Sequence, residues 1–278
     1  MNLLHATLLG AVEGVTEFLP VSSTGHLTVV EKLLGYRIDD PDITAFTAII
    51  QVGAILATVI YLRRDIIRLL RALFVGLAHR EHRSDPDFRM AIAVILGSIP
   101  IGIVGLAFQN VIETSLRSLI VVGVALIVWS GPMLYADRTA RQDRHEADVT
   151  WRDTLIIGIV QCLSLVPGVS RSGATMSIGL LRGIDRVTVT RLSFLLSIPA
   201  LLGAGVLQTA QEYDAIGSGV GWPATLLATA VSFVVAYVAV AWLLRFIARH
   251  SFVVFFVYRV VAGIVVLALV GAGVVAST

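Results

Sequence analysis

Charged residues are scarce in this chain, and cysteine is almost absent. Asp, Glu, Lys and Arg make up 14% of its 278 residues, whereas a soluble domain has about 25%. The single cysteine, Cys162, excludes an intrachain disulfide and argues against a metal–thiolate site. The formal net charge is only +2, which gives no ground for expecting nucleic acid as a partner. The composition is therefore not that of a soluble, disulfide-bonded or nucleic-acid-binding protein.

Long apolar runs are what the sequence has in quantity. Hydrophobic residues make up 56% of the chain, and the mean hydropathy is +0.87. We predict an all-α polytopic membrane protein, a single integral membrane domain over 1–278 surrounded by membrane lipids. No soluble domain is expected, and no cleavable signal peptide either, because the first apolar run lacks a basic start and contains glutamate. Six runs are long enough for transmembrane helices, at 43–62, 90–108, 117–136, 187–207, 222–247 and 252–275.

Two further pairs of apolar runs are too short to cross a bilayer. A spanning helix needs about 20 residues, and each pair is interrupted by a proline and a cluster of hydroxyl residues. Irregular backbone at membrane depth survives only where protein or a polar cavity covers it. Each pair is therefore predicted to be a re-entrant helix–loop–helix hairpin. The first consists of 3–19 and 24–35 around Pro20, and the second of 154–166 and 174–183 around Pro167.

The two halves of the chain repeat one another. Gly10 aligns with Gly158, Glu13 with Gln161, and Ser22 with Ser170, all at one constant spacing. Each half then contains one broken hairpin followed by three spans. Since three is odd, the second half must cross the membrane in the opposite direction. The sequence thus predicts an inverted-topology repeat of about 1–136 and 154–275.

The arginines predict the orientation of the chain. Sixteen of the 21 Lys and Arg residues fall on one predicted side, in loops 63–89 and 137–152 and near 182–191 and 245–249. The opposite side has only Lys32, Arg37 and Arg117. Because positive residues favour the cytoplasm, both termini are expected to lie outside.

The first hairpin carries the residue types of a reactive site. Glu13 and Glu17 are four residues apart and share a helix face, and ionisable groups at membrane depth are usually functional. The segment after Pro20 offers hydroxyl N-caps and free backbone N–H groups, a setting that attracts phosphate. Its members are Ser22, Ser23, Thr24, Gly25 and His26.

The second hairpin adds a fixed positive charge. Arg171 lies between two serines, and a guanidinium grips phosphate oxygens in a planar fork. The alternative for Arg171 is an ion pair with a glutamate of the first hairpin. The two helix starts would direct two positive dipole ends at one point, which suits a compact and strongly negative group such as diphosphate. The neighbouring candidates for substrate binding are Ser170, Ser172, Gly173 and Thr175.

The chemistry leaves alternatives open. Glu13 and Glu17 could hold a divalent cation that bridges to phosphate, or one of them could transfer a proton. Ser23 is the candidate nucleophile, with His26 or Glu17 as its base. His26 itself and a water molecule activated by the cation are the competing nucleophiles.

These stretches resemble a known family. EGVTEFLPVSSTGH at 13–26 and PGVSRSGAT at 167–175 resemble the two signature regions of the undecaprenyl-diphosphatases of the bacitracin-resistance type. The similarity runs over the whole chain and includes the ending SFVVFFVYR at 251–259. The resemblance implies hydrolysis of undecaprenyl diphosphate to the monophosphate, which recycles the carrier lipid of cell-wall synthesis. It also implies dependence on Mg²⁺ or Ca²⁺ and a place in the plasma membrane of a bacterium. The site residues that it carries over are Glu13, Glu17, Ser23, His26, Ser170, Arg171, Ser172 and Thr175.

A different class of function would use the same residues. Inverted repeats with broken helices are a transporter design, and buried glutamate and arginine suit proton-coupled exchange. A transporter or flippase would bind the phosphorylated lipid without cleaving it. The hydroxyl-rich caps with a nearby histidine favour hydrolysis over transport. Because the outer side leads to the first hairpin, we expect substrate to enter from the outer leaflet. The sequence leaves open whether the chain forms a homodimer.

Overall fold

The regular elements of the protein are helices. The computed structural model describes residues 1–38, 40–108, 118–211 and 219–277, and every regular element in these ranges is helical, as the sequence predicts. The α-helices are α1 Leu3–Thr16, α2 Ser23–Leu33, α3 Pro41–Tyr61, α4 Arg63–Ala78, α5 Pro86–Ala107, α6 Leu119–Thr139, α7 Trp151–Gln161, α8 Arg171–Leu181, α9 Arg186–Gln211, α10 Trp222–Ile247 and α11 Val253–Gly271. Short 3₁₀ turns lie at Arg80–Ser84, Glu146–Asp148 and Cys162–Leu165.

Six of the described helices are long and apolar enough to cross a membrane. They are α3, α5, α6, the Arg186–Gly203 part of α9, α10 and α11, and each falls on a predicted span. This confirms a multi-pass membrane protein. Arg117 was predicted to lie on the side with few positive residues, and it falls outside the described residues.

The segment 63–89 was predicted to be a charged loop with an amphipathic start, but most of it is helical. The amphipathic part is a full helix, α4, with 16 residues. Leu69 and Gly76 face the protein, while Ile67 and Phe74 are exposed. Gly76 allows the Phe88 ring of α5 to lie against α4, because a Cβ there would be 2.2 Å from that ring. Packing against α5 thus stabilises a helix whose many arginines suggested a loop.

The two proline-broken segments are helical hairpins. In the first, α1 starts where α2 ends, and His5 Nδ1 hydrogen-bonds Tyr36 Oη at 2.8 Å. In the second, α7 starts where α8 ends, and Arg182 Nε donates to Asp153 Oδ1 at 2.8 Å. The four helices have only 14, 11, 11 and 11 residues. The bend of each hairpin lies inside the protein, since residues 17–22 and 167–170 are buried.

Each hairpin packs against a long helix from the other half of the chain. Helix α1 lies along α10, and α7 lies along α5. Glycines permit both close contacts: a Cβ on Gly10 would be 2.3 Å from the Ala228 carbonyl oxygen, and one on Gly158 would be 1.9 Å from that of Gly97. Such small residues let membrane helices approach closely.

The arginine-rich segments come together at one end of the molecule. Arg191 pairs with Asp65 at 2.5 Å and Arg186 with Asp137 at 2.8 Å. Arg68 contacts both Asp87, at 2.5 Å, and Glu146. These pairs connect α4, α5, α6, α9 and the loop before α7. We call this region the arginine-rich end.

Asp153 is the most enclosed carboxylate of the arginine-rich end. Its side chain is fully buried, with Arg144 at 2.6 Å and Arg182 at 2.8 Å. Burial alone would raise the pKa of Asp153, but hydrogen bonds from Arg144, Thr150 and Arg182 outweigh it and hold the pKa well below its usual range. Asp153 therefore stays ionised and fixes the start of α7.

The termini lie at the other end. The Met1 amino group donates to the Val220 carbonyl at 3.4 Å, just before α10. The Leu119 N–H donates to the Ser277 carbonyl at 2.9 Å, at the start of α6. Because α6 ends beside the arginine-rich Asp137–Arg186 pair, Ser277 and the arginine-rich end are separated by the length of a span.

Candidate active site

The two hairpin bends present helix starts of the same form. Ser22 caps α2, with its Oγ accepting from the Gly25 N–H at 3.4 Å, and Ser170 caps α8, accepting from the Gly173 N–H at 3.2 Å. Both helix starts were predicted, and the structure confirms them. Ser22 and Ser170 have φ values of +78° and +72°, a region that favours glycine. Such strain in non-glycine residues persists where the surroundings enforce it, often at functional sites.

The bends also hold each other. The Gly168 N–H donates to Ser22 Oγ at 3.2 Å, so that the second bend reaches into the first. The Ser172 hydroxyl donates to the Leu19 carbonyl at 2.8 Å, which joins them again. The two helix starts are therefore fixed relative to one another, although they lie far apart in sequence.

Glu17 is the meeting point of the two bends. Its side chain is buried, and its Oε1 accepts from Arg171 Nη2 at 2.6 Å and from Gln51 Nε2 at 3.2 Å. Its Oε2 accepts from the Ser23 hydroxyl. One carboxylate thus contacts the candidate nucleophile, the candidate phosphate ligand and a span.

Arg171 forms an ion pair with Glu17, which was the predicted alternative to a phosphate-binding role. Its guanidinium lies above the Phe18 ring, with 5.9 Å between Cζ and the ring centroid. The Nε of Arg171 is buried and has no hydrogen-bond partner in the described part of the protein. Because only part of its donor fork is engaged, the pairing with Glu17 leaves N–H groups for a phosphate.

A polar pocket of about 140 Å³ lies between the two helix starts. The backbone N–H groups of Ser23 and Thr24 are the first two of α2, so the helix itself gives them no acceptor, and Arg171 and Ser172 hold the same positions in α8. Of the predicted residues, six line the pocket, and the others lie behind it. The pocket is lined by Glu17, Ser22, Ser23, Thr24, Gln51, Ile101, Ser164, Leu165, Pro167, Ser170, Arg171 and Leu201.

The structure does not bring His26 to Ser23. His26 Nδ1 bonds the Ser22 carbonyl at 2.7 Å, so this nitrogen carries the proton. His26 Nε2 therefore accepts from the Tyr258 hydroxyl at 2.6 Å, and the two rings are stacked at 5.5 Å. Of the two bases proposed for Ser23, Glu17 is the one in contact with it.

Glu13 lies behind Glu17 and is almost fully buried. Its Oε1 has no hydrogen-bond partner among the described residues. No group of three or more His, Cys, Asp or Glu side chains that could enclose a metal ion occurs in the described ranges. The two glutamates nevertheless fit a Mg²⁺ or Ca²⁺ ion, since such ions are often held by one or two carboxylates together with substrate phosphates.

The remaining predicted residues support the pocket from behind. Thr175 Oγ1 bonds Ser193 Oγ at 2.6 Å and is fully buried. Gly25 and Gly173 make close packing possible, since Cβ atoms there would be 3.0 Å from Val122 and 3.1 Å from Met133.

Three residues of the site were not predicted from the sequence. They are Gln51, which bonds Glu17, Tyr258, which bonds His26, and Arg259, which bonds both bends. Each is a polar group within an apolar run, and that was the available signal. Arg259 is the last residue of the stretch 251–259 quoted for the family resemblance, but no role was assigned to it.

Known proteins match this chain over nearly its whole length. The family model described as "Bacitracin resistance protein BacA" matches residues 6–265. The chain is 66% identical to undecaprenyl-diphosphatase 3 of Frankia casuarinae over 278 residues, which is 100% of both chains. It is 52% identical to the undecaprenyl-diphosphatase of Cutibacterium acnes and 45% identical to that of Mycolicibacterium smegmatis, again over 100% of each chain. The chain therefore belongs to the bacitracin resistance protein BacA family.

Proposed function

We propose that this chain is an integral membrane phosphatase that hydrolyses undecaprenyl diphosphate to undecaprenyl phosphate and phosphate. Its relatives bear the name undecaprenyl-diphosphatase at 45–66% identity, and the chain has six helices suited to a membrane. The observation that carries the proposal is the Ser23–Glu17–Arg171 contact in a pocket between two helix starts. The reaction recycles the cell-wall carrier lipid, and it gives resistance to bacitracin.

In the proposed mechanism Ser23 is the nucleophile. Glu17 accepts the proton of the Ser23 hydroxyl while Oγ attacks the terminal phosphorus. The bond between that phosphorus and the bridging oxygen breaks, and undecaprenyl phosphate leaves with the bonding electrons. Water then attacks the phosphorus of the phosphoserine, and the bond between that phosphorus and Ser23 Oγ breaks. Glu17 returns its proton to the Ser23 oxygen, and the proton that the attacking water loses leaves with the phosphate.

Arg171 and the helix starts stabilise the transferred group. The phosphoryl oxygens carry the developing negative charge, and fixed donors aimed at them lower the barrier. Arg171 supplies its fork, and Ser23, Thr24 and Ser172 supply backbone N–H groups. The attacking oxygen is already at a helix start, so little rearrangement is needed.

Glu13 and Glu17 would hold a divalent cation, Mg²⁺ or Ca²⁺, together with the phosphates of the substrate. Such an ion, when bound, neutralises phosphate charge. The unpartnered Oε1 of Glu13 supports this assignment. Glu13→Gln should raise the cation concentration for half-maximal activity by about tenfold or more, as measured by titrating the cation in a phosphate-release assay. An unchanged cation response would mean that the pair does not hold the cation and serves proton transfer alone.

In this proposal, the two hairpins are re-entrant and are related to each other as an inverted repeat. Three observations support it: the ends of each hairpin lie together, the bends contact each other, and each hairpin packs on a helix of the opposite half. The arginine-rich end is cytoplasmic. The pocket faces the outer side, and the prenyl tail of the substrate lies between helices.

A transporter or flippase of a phosphorylated lipid is the alternative. It would bind the same head group, but it would have no use for a serine hydroxyl that donates to a buried carboxylate. Purified protein in detergent, given undecaprenyl diphosphate, should release phosphate, and Glu17→Gln should abolish the release. Binding without release by the unaltered chain would favour transport.

A further inference from the structure

Arg259 is a fully buried cation at the junction of the two hairpin bends. It lies in the middle of α11 and is 0% exposed. Its Nη2 donates to the Gly168 carbonyl at 2.9 Å, and its Nη1 donates to the Pro20 carbonyl at 3.4 Å. Its Nε donates to Ser130 Oγ of α6 at 3.2 Å. One side chain therefore binds both bends and anchors them to the α6–α11 pair.

The positions of the two carbonyl groups are equivalent. Pro20 lies two residues before the cap of α2, and Gly168 lies two residues before the cap of α8. The bends are the parts of the hairpins whose backbone has no helical partners, and a carbonyl left unbonded at this depth is costly. Arg259 satisfies both groups with one planar fork, whose shape fixes the spacing of the two helix starts.

No carboxylate of the described residues forms an ion pair with Arg259. None of the ion pairs within 4.0 Å that involve the described residues includes it, whereas Arg171 is paired with Glu17. A buried charge without a partner is expensive, so carbonyl and hydroxyl dipoles alone must hold this one. The uncompensated positive charge lies directly behind the two bends that enclose the pocket. It therefore favours an anion in the pocket, to which its charge is attracted through a poorly screening interior.

We propose that Arg259 is a positioning residue for phosphoryl transfer. It acts through the Pro20 and Gly168 carbonyls, which keeps the two helix starts at the separation that grips the diphosphate. Its unpaired positive charge attracts an anion in the pocket and so favours binding of the diphosphate. This inference rests on the proposed phosphatase function, and it gives α11 a second residue at the site besides Tyr258.

Two substitutions separate the fork from the charge. Arg259→Lys keeps a positive charge but cannot reach both carbonyls in one plane, and Arg259→Met removes charge and fork together. Arg186→Met is the matched control, because it removes a half-buried arginine that pairs with Asp137 at the arginine-rich end. For each purified protein, kcat, KM and the melting temperature are measured with undecaprenyl diphosphate at saturating cation.

We expect kcat to fall about 10-fold in Arg259→Lys and about 100-fold or more in Arg259→Met, while KM changes much less. The substrate is still held by its tail and by Arg171, so the loss falls on the transition state. Arg186→Met should lower the melting temperature and leave kcat per folded molecule near that of the unaltered chain. This contrast distinguishes positioning from a general contribution to stability.

Three results would decide against the inference. Variants of Arg259 with unaltered kcat would overturn it alone, and so would a loss of kcat that Arg186→Met reproduces at equal loss of stability. If the unaltered chain released no phosphate, the proposed function would fall and the inference with it. Should Arg259→Met not fold, the kcat of Arg259→Lys decides, because that variant retains the charge and most of the side-chain volume.

Discussion

At the scale of single residues, Glu17 decides what the pocket can do. A carboxylate that accepts a hydrogen bond from Ser23 is placed to take the proton of that hydroxyl. The same carboxylate holds Arg171 beside the pocket. The acid and the guanidinium thus satisfy each other, and under the proposed function a diphosphate would replace Glu17 as the partner of Arg171.

Ser23→Ala should leave the protein nearly inactive. The variant loses the attacking atom and with it the covalent route, whereas loss of a base or orienting group costs about 10²–10⁴-fold. His26→Gln, which breaks the contact with Tyr258, should be strongly reduced but measurable. Phosphate release by the purified variants gives both values. An active Ser23→Ala with phosphate trapped on His26 would make His26 the nucleophile.

Arg171→Lys should be strongly impaired although it keeps the charge. A lysine is a point charge and cannot present the planar fork that phosphate oxygens accept. Loss of one aligned transition-state donor typically costs about 10²–10³-fold in kcat. Arg138, an exposed arginine at the end of α6, provides the control Arg138→Lys. Near-normal kcat for Arg171→Lys would mean that the Glu17 ion pair is its whole role.

Sequence motifs predicted the centre of this site but not its surroundings. Glu17, Ser23 and Arg171 belong to compact stretches with unusual composition, so local spacing was enough to select them. Gln51, Tyr258 and Arg259 contact the site from other helices, and no spacing within one helix reveals such contacts. The expected His26–Ser23 contact was compatible with helical spacing, but the His26 ring turns toward Tyr258 of α11.

At the scale of elements, the breaks in the short helices were the most predictable feature. Pro20 and Pro167 disfavour a continuous helix because each lacks a backbone N–H, and the hydroxyl residues after them cap the next helix. Helix α4 was harder to predict, because its arginines conceal an apolar stripe that packs on α5. Each hairpin packs against a long helix from the other half of the chain, and this pairing depends on tertiary packing. The available sequence signal was the small residues at the contacts, Gly10, Gly97 and Gly158.

Gly158→Ala should destabilise the protein by separating α7 from α5. The added Cβ would meet the Gly97 carbonyl oxygen at 1.9 Å, and backbone cannot move aside without moving the helix. Overpacking of this kind costs about 1–3 kcal/mol, which should appear as a lower melting temperature in detergent. The control is Gly102→Ala on α5, where no heavy atom lies within 4 Å of the new Cβ. Equal melting temperatures for the two variants would contradict the close packing of α7 on α5.

At the scale of the whole molecule, the two ends have different chemistry. The arginine-rich end is held by ion pairs such as Arg191–Asp65 and Arg144–Asp153. The other end holds the termini, with Met1 beside Val220 and Ser277 beside Leu119. The arginine count could predict this grouping because loops on one side of a membrane share their charge bias. It could not predict which carboxylates pair with which arginines.

The orientation in the membrane can be tested with single cysteines. With the native thiol removed by Cys162→Ala, Ala276→Cys places a thiol at an exposed position near the C-terminus. It is preferable to a cysteine at Ser277, whose hydroxyl bonds Ser118 at 3.0 Å. Ser84→Cys places a matched thiol in the exposed 3₁₀ turn of the arginine-rich end.

In intact cells an impermeant maleimide should label Ala276→Cys and not Ser84→Cys. Permeabilising the membrane should then expose Ser84→Cys to the same reagent, which shows that its thiol is reactive. The expectation follows from the arginine bias, since positive residues are retained in the cytoplasm. The reverse pattern would place the arginine-rich end outside. The first hairpin, which starts and ends on the side of the termini, would then open toward the cytoplasm, and the proposed site would draw its substrate from the inner leaflet.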